Sequence, residues 1–247
     1  MHSRRNEAGF TLIEIAIVVV IIGLLLGGVL KGQELIRNAR THAIINQGNA
    51  VQGAVLGFQD RYRALPGDYS VADTNIVGVT TDHNGDGDSR VGILTGDEGG
   101  GSDDEIVFVW EHLSRAGFIS GSFDGSNTNL NDTTWTCGEG ACLTNPFNGH
   151  MMFLFDGAQV HPDATTWSTG PQNNQLTTGR LIPVEITAEM DRKIDDGDPA
   201  NGSFRVGHRF LSGATGAATE CANVATGSAA TVVDTWTVTS LKSDCWR

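Results

Sequence analysis

The sequence predicts an α+β fold, in which one long N-terminal helix precedes a loop-rich head with short antiparallel strands. An apolar run at residues 10–30 leads into a helical pattern that continues to residue 63, and the chain then becomes rich in glycine. Alternating, β-branched or aromatic runs predict strands at residues 150–156, 203–210 and 231–241. A chain of 247 residues, 39% of them hydrophobic, suits one sizeable domain with an appendage.

The apolar run is long enough to cross a membrane. Thr11 and Glu14 are the only polar residues among its 21 residues, which span roughly 30 Å as a helix. Arg4 and Arg5 precede the run, so the positive-inside rule leaves the N-terminus in the cytoplasm and sends the rest outward. A cleaved secretory signal is the alternative, but it requires a small-residue cleavage pattern after the run, where "GGVLKGQELIRNAR" continues as a helix.

Glu14 is the unusual residue of this run. A carboxylate at the centre of a membrane helix costs about 2.5–3.5 kcal/mol, so an acid at such a position normally has a partner or a function.

The segment "GFTLIE" follows a short basic leader and combines a Gly9–Phe10 junction with an acid five residues into the chain that would remain. It resembles the prepilin peptidase recognition site of type IV pilins and type II secretion pseudopilins. The resemblance implies that residues 1–9 are a leader cut between Gly9 and Phe10, that the new Phe10 amine is methylated, and that the apolar helix stays on the mature protein. It also implies that Glu14 pairs with the N-terminal amine of a neighbouring subunit, which offsets the cost of desolvating the acid.

The same resemblance implies a pilin-like lollipop, with a helix at residues 10–63, transmembrane or filament core at 10–30, and an extracytoplasmic head at 64–247. The expected partners are the prepilin peptidase, the inner membrane and its assembly platform, and further copies of the chain in a helical filament. We expect a structural subunit of a type IV pilus-like filament, found in the inner membrane before assembly and in an extracellular pilus afterwards. The alternatives are a pseudopilin of a periplasmic pseudopilus and a membrane-anchored calcium-binding adhesin, although the adhesin leaves the Gly–Phe junction unexplained.

One departure leaves the branch of the family open. Many pilins carry a proline about twenty residues after the cut, whereas this chain has Lys31 and no proline there. Any loosening of the helix would then have to begin at Gly27, Gly28 or Gly32, because glycine weakens a helix interior.

The rear of the long helix is amphipathic. Ile44, Val51, Val55, Phe58 and Tyr62 are spaced by seven, four, three and four residues, which predicts one core-facing stripe. The segment "ALPGD" at residues 64–68 ends the helix.

Two further helices are predicted in the head. "SDDEIVFVWEHLSRAG" begins with a capping box formed by Ser102 and Glu105, and predicts a helix at about residues 103–116. "LIPVEITAEMDRKIDDG" predicts a second helix, with Pro183 in the first turn and Gly197 as the stop.

Charge and motif content exclude two classes of function. Residues 1–63 carry a net charge of +3 and residues 64–247 a net charge of −16. The acidic head argues against nucleic acid as a partner, because phosphate binding needs clustered Lys and Arg. The chain has no G-x-S-x-G, HExxH or P-loop motif, and we expect that it is not an enzyme.

Four cysteines follow the apolar run, as an oxidising compartment allows: Cys137, Cys142, Cys221 and Cys245. Four cysteines allow three pairings. We expect Cys137–Cys142 and Cys221–Cys245, of which the second resembles the disulfide-bounded loop near the C-terminus of many pilins. A zinc site is the competing idea, but neither a C-x₂-C motif nor a nearby pair of histidines supports it.

The segment "DHNGDGDSRVG" resembles the first half of a calcium loop, with Asp82, Asn84 and Asp86 at alternate positions, then a glycine and Asp88. Ile93 stands where a bidentate glutamate belongs, so a complete EF-hand is excluded. The open alternatives are Ca²⁺ in a looser loop, completed by Asp97, Glu98 or Asp103, and a solvated acidic turn. "DDGDP" at residues 195–199 is a poorer candidate for the ion.

Overall fold

The computed structural model describes residues 12–92, 104–126, 137, 140–156, 173–179, 181–198, 202–204, 222–223 and 235–236. The described helices are α1 (Leu12–Tyr62), α2 (Ala72–Asn75), α3 (Glu105–Arg115) and α4 (Val184–Ile194), with a short 3₁₀-helix at Thr81–His83. The described strands are β1 (Met152–Asp156), β2 (Asn173–Thr177), β3 (Ala222–Asn223) and β4 (Thr235–Trp236). A long N-terminal helix with small antiparallel sheets confirms the predicted α+β class.

The chain forms two compact units, residues 1–40 and 41–247. The described part of the first unit is helical throughout, so α1 continues unbroken through Gly27, Gly28 and Gly32. Its apolar side chains are exposed, with Leu12 at 91% and Leu24 at 73%. Within the described residues, α1 is the one helix with the length and composition needed to cross a membrane.

The second unit has its main core around the rear of α1 and helix α3. Val51, Val55 and Phe58 of α1 are buried, as the predicted stripe requires, and Ile44 lies in a smaller cluster with α4. Helix α3 is buried along nearly its whole length. The helices therefore pack through the faces that their periodicity indicated.

The main sheet consists of β1 and β2, which pair antiparallel with Met152 opposite Thr177 and Asp156 opposite Asn173. Strand β1 supplies apolar side chains to the core and confirms the strand predicted at residues 150–156. A second pair, β3 with β4, is two residues long on each side.

Two other predicted strands fall largely outside the described residues. Of residues 203–210 the structure describes 203 and 204, which are not in a strand, and of residues 231–241 it describes β4 alone.

The ends of the two head helices differ in detail from the sequence prediction. Helix α3 has Asp104 at its N-cap, and Ser102 lies outside the described residues. Glu105 does not cap the helix as the sequence predicts. Its two carboxylate oxygens instead accept backbone N–H groups of a distant loop. Pro183 occupies the N-cap of α4 rather than its first turn, and Gly197 follows the helix end with φ +83°.

Candidate functional site

The first candidate site is the front of α1. Gly9 and Phe10 lie outside the described residues, and Glu14 lies in the first helical turn, where its side chain is exposed. A helix N-terminus favours a negative charge through its dipole, so this turn is a favourable place for a carboxylate. The turn is followed by a surface of exposed aliphatic side chains that water solvates poorly, and such a surface marks contact with a membrane or with other chains.

The second candidate site is the acidic loop, which we define as residues 82–92. Two buried carboxylates hold its backbone. Asp68 accepts the N–H groups of Gly87 at 2.7 Å and Ser89 at 3.0 Å. Glu105 accepts those of Asp86 at 3.0 Å and Gly92 at 2.9 Å. The loop is thereby fixed at four points by acids from outside it.

Burial sets the ionisation of these two acids. Desolvation raises the pKa of Asp68 to about 6, and the hydrogen bonds from Gly87 and Ser89 oppose that rise. Desolvation likewise raises the pKa of Glu105 to about 7, against the hydrogen bonds from Gly92 and Asp86. The pKa of each carboxyl group therefore lies above its ordinary value, although each carboxylate accepts two N–H groups.

Three of the four side chains predicted as calcium ligands make hydrogen bonds within or next to the loop. Asn84 exchanges hydrogen bonds with Asp73, accepting its backbone N–H and donating to its carboxylate. Asp88 accepts the backbone N–H of Arg90, and Asp86 accepts that of Asp88. Asp82 lies exposed in the 3₁₀-helix. The loop thus forms its own turns with these side chains.

The structure groups the acids differently from the sequence prediction. Carboxylate oxygens of Asp68, Asp86 and Glu105 lie within 4.8 Å of one another, and Asp82 and Asp88 are not members of this group. Gly85 allows the backbone of the acidic loop to approach the backbone of Asp68, because a Cβ at Gly85 would overlap it. Of the residues suggested to complete the site, 97, 98 and 103 lie outside the described residues. The calcium site at Asp82, Asn84, Asp86 and Asp88 stays a prediction.

Sequence reasoning missed Asp68 and Glu105 as residues that organise the loop. Asp68 belongs to the "ALPGD" segment, which indicated only the end of a helix, and Glu105 had an apparent capping role. Neither has a sequence signal for accepting backbone N–H groups 13 to 21 residues away.

The comparison with family models concerns the front of the chain. Residues 4–30 match the model of the prokaryotic N-terminal methylation motif. The chain carries the prepilin-type motif of type IV pilins and pseudopilins. No curated protein and no solved structure matches the chain.

The prepilin-type motif has direct implications for the first candidate site. It implies processing by prepilin peptidase and assembly into pilus-type filaments, and with the apolar front of α1 it suits anchoring in the inner membrane before assembly. An exposed aliphatic surface of this kind is compatible with contact with lipid or with other chains.

One disulfide lies within the described residues. Cys137 and Cys142 form a disulfide with a Cα–Cα distance of 5.8 Å, which confirms one of the two expected pairings. Cys221 and Cys245 lie outside the described residues.

Proposed function

We propose that this chain is a structural subunit of a bacterial type IV pilus-like filament. Prepilin peptidase removes residues 1–9, the amine of Phe10 is methylated, and the subunits assemble through α1. The observation that carries the proposal is the methylation motif at residues 4–30, continuous with a helix whose apolar side chains are exposed. The role is structural rather than catalytic.

Glu14 supplies the specificity of assembly in this proposal. In the membrane its carboxylate raises the cost of insertion, whereas beside the N-terminal ammonium of a neighbouring subunit that cost is offset. An interaction gained only on assembly favours the filament over the free subunit.

Shearing and fractionation of cells that express the full chain test the proposal. Filament subunits leave with the sheared extracellular fraction, subunits of a periplasmic pseudopilus stay with the cell, and anchored monomers stay in the membrane. Gly9→Val should block cutting and leave the chain in the membrane. Ala8→Val, which places the same side chain one residue earlier, is the matched control and should be processed and sheared as the wild type is.

A further inference from the structure

The chain contains three Asn–Gly pairs, at residues 84–85, 148–149 and 201–202. An asparagine that precedes glycine loses its side-chain ammonia most readily, because glycine has no Cβ to hinder its backbone nitrogen as that nitrogen approaches the asparagine side chain. Asparagine is accordingly one of the thermolabile residues of proteins. The structure describes the first two pairs completely, and it holds them differently.

The pair at Asn84 is fixed at both of its reacting groups. The Oδ1 atom of Asn84 accepts the backbone N–H of Asp73 at 2.9 Å, and its Nδ2 donates to the carboxylate of Asp73 at 2.9 Å. The nitrogen of Gly85 donates to the carbonyl oxygen of Tyr69 at 3.1 Å. Neither the amide nor the nitrogen that would attack it can therefore move without breaking these bonds.

The pair at Asn148 has a side chain that is not held. The side chain of Asn148 is exposed and forms no hydrogen bond with any residue that the structure describes. The backbone of Asn148 has φ +63°, in the left-handed region that residues other than glycine seldom adopt. The surrounding turn therefore keeps the backbone in a disfavoured conformation while the amide can rotate.

Asn145 holds the backbone of this turn. Its buried Oδ1 atom accepts the N–H of Phe147 at 2.8 Å and that of Gly149 at 3.0 Å. Its carbonyl oxygen accepts the N–H of Asn148 at 2.9 Å. The hydrogen bond to Asn145 keeps the Gly149 nitrogen away from the Asn148 amide, so the two can meet when the turn opens locally.

We propose that Asn148 is a site of spontaneous deamidation. The Gly149 nitrogen bonds to Cγ of Asn148 and gives up its proton, the bond from Cγ to Nδ2 breaks, and the amide nitrogen leaves with that proton as ammonia. Water, the co-reactant, then opens the five-membered succinimide ring at either of its carbonyls, which gives aspartate or isoaspartate. The proposal does not depend on the proposed filament function.

The reaction loosens the segment at residues 144–149. Phe147 of this segment packs against the small apolar cluster that α1 shares with α4. An isoaspartate at position 148 adds one carbon to the backbone, which moves the N–H of Gly149 away from the Oδ1 atom of Asn145. Deamidation therefore weakens a contact between the rear of α1 and the head, and the weakened fraction grows with the age of the protein.

Peptide mass spectrometry of the full chain, incubated in detergent at mildly alkaline pH, tests the proposal. Asn84 is the matched control, since it forms the same dipeptide in the same molecule. We expect fragment spectra to show a gain of one mass unit, with isoaspartate, at least tenfold faster at Asn148 than at Asn84. In guanidinium chloride the two rates should agree within about threefold, because the fold no longer protects either pair.

Equal rates at Asn148 and Asn84 in the folded chain would overturn the proposal. Conversion of Asn148 in guanidinium chloride without conversion in the folded chain would overturn it as well, because the hydrogen bonds of Asn145 would then protect the pair fully.

Asn148→Gly separates the reaction from its consequence. Glycine accepts the left-handed conformation and has no amide to lose. After incubation, the melting midpoint of the wild type should fall by a few degrees, whereas that of Asn148→Gly should stay at its initial value. If isoaspartate accumulates in the wild type and the midpoint does not fall, the segment at residues 144–149 tolerates the change and the proposed loosening is wrong.

Discussion

The Nδ1 atom of His112 accepts a hydrogen bond from the backbone N–H of Gly67 at 3.0 Å. The same imidazole bonds the carbonyl oxygen of His83 through Nε2 at 2.9 Å, which requires Nε2 to carry the proton. Helix α3 thereby connects the turn after α1 to the 3₁₀-helix that opens the acidic loop. The ring is buried, and desolvation lowers the pKa of His112 to about 4.

The first prediction is that the folded chain loses the stability contributed by neutral His112 in acid. The unfolded chain protonates His112 near its ordinary pKa of about 6.5, whereas the folded chain keeps it neutral down to about 4. The stability that the neutral ring contributes is therefore fully present above about pH 6.5 and is lost as the pH falls toward 4, by an amount of the order of 3 kcal/mol.

Chemical denaturation of the full chain in detergent at several pH values measures this effect. His112→Gln, which does not titrate, should be less stable than the wild type at pH 7, and the difference should shrink toward pH 4. A difference that stays constant across this range would contradict the assignment of the neutral ring.

The second prediction concerns Glu105 and has the opposite sign. Because burial raises the pKa of Glu105 to about 7, the folded chain binds a proton more readily than the unfolded chain does. Its contribution to stability should grow as the pH falls from about 7 to about 4.5. Relative to Glu105→Gln, the wild type should gain about 1–3 kcal/mol over that range.

The control for Glu105 is Glu189→Gln, the same chemical change at a less buried acid that pairs with Lys193. Because a partly exposed ion pair contributes little to stability, this variant controls for the loss of a carboxylate outside the core. A Glu105→Gln profile parallel to both would show that the buried acid does not titrate in this range.

The third prediction is that Ca²⁺ stabilises the head through the acidic loop. Extracellular calcium sites have dissociation constants of about 10⁻⁴–10⁻³ M, so millimolar Ca²⁺ should add about 0.4–1.4 kcal/mol and raise the melting midpoint by a few degrees. Asp82→Ala combined with Asp86→Ala should abolish the shift, whereas a shift that survives both substitutions would place the ion elsewhere, near Asp195 and Asp196. Equal midpoints in Ca²⁺ and chelator would leave the loop as an acidic turn.

The fourth prediction concerns Glu14 in assembly. Glu14→Ala should leave the monomer stable in the membrane, or more stable because insertion is easier, while the sheared fraction falls at least tenfold. Glu34→Ala is the matched control, since it removes an exposed acid of the same helix that pairs with Lys31 at 2.6 Å. Normal filament numbers in a strain with Glu14→Ala as its sole copy would show that the pairing is dispensable.

The sequence predicted those elements whose local pattern agrees with their environment. The rear of α1 and helices α3 and α4 show a 3.6-residue spacing of apolar residues, the front of α1 is a continuous apolar run, and β1 is a short apolar run bounded by turn residues. Strand β2, "NNQLT", has no such pattern. It forms a strand through its pairing with β1, which its own composition does not indicate.

The acidic loop shows why the candidate site was harder to predict. Its turns follow from local Asp and Asn chemistry, which the sequence displays. The carboxylates that hold it, Asp68 and Glu105, come from segments outside the loop, and the tertiary fold brings them to its backbone. Local spacing therefore identified the loop and not the residues that anchor it.

The intact mass of the subunit in the sheared fraction tests the central claim most directly. If the prepilin-type motif is used as proposed, the mature chain begins at Phe10 and its mass corresponds to residues 10–247 plus one methyl group, with allowance for disulfides. A subunit that retains residues 1–9, or that begins beyond the apolar run, would contradict the account.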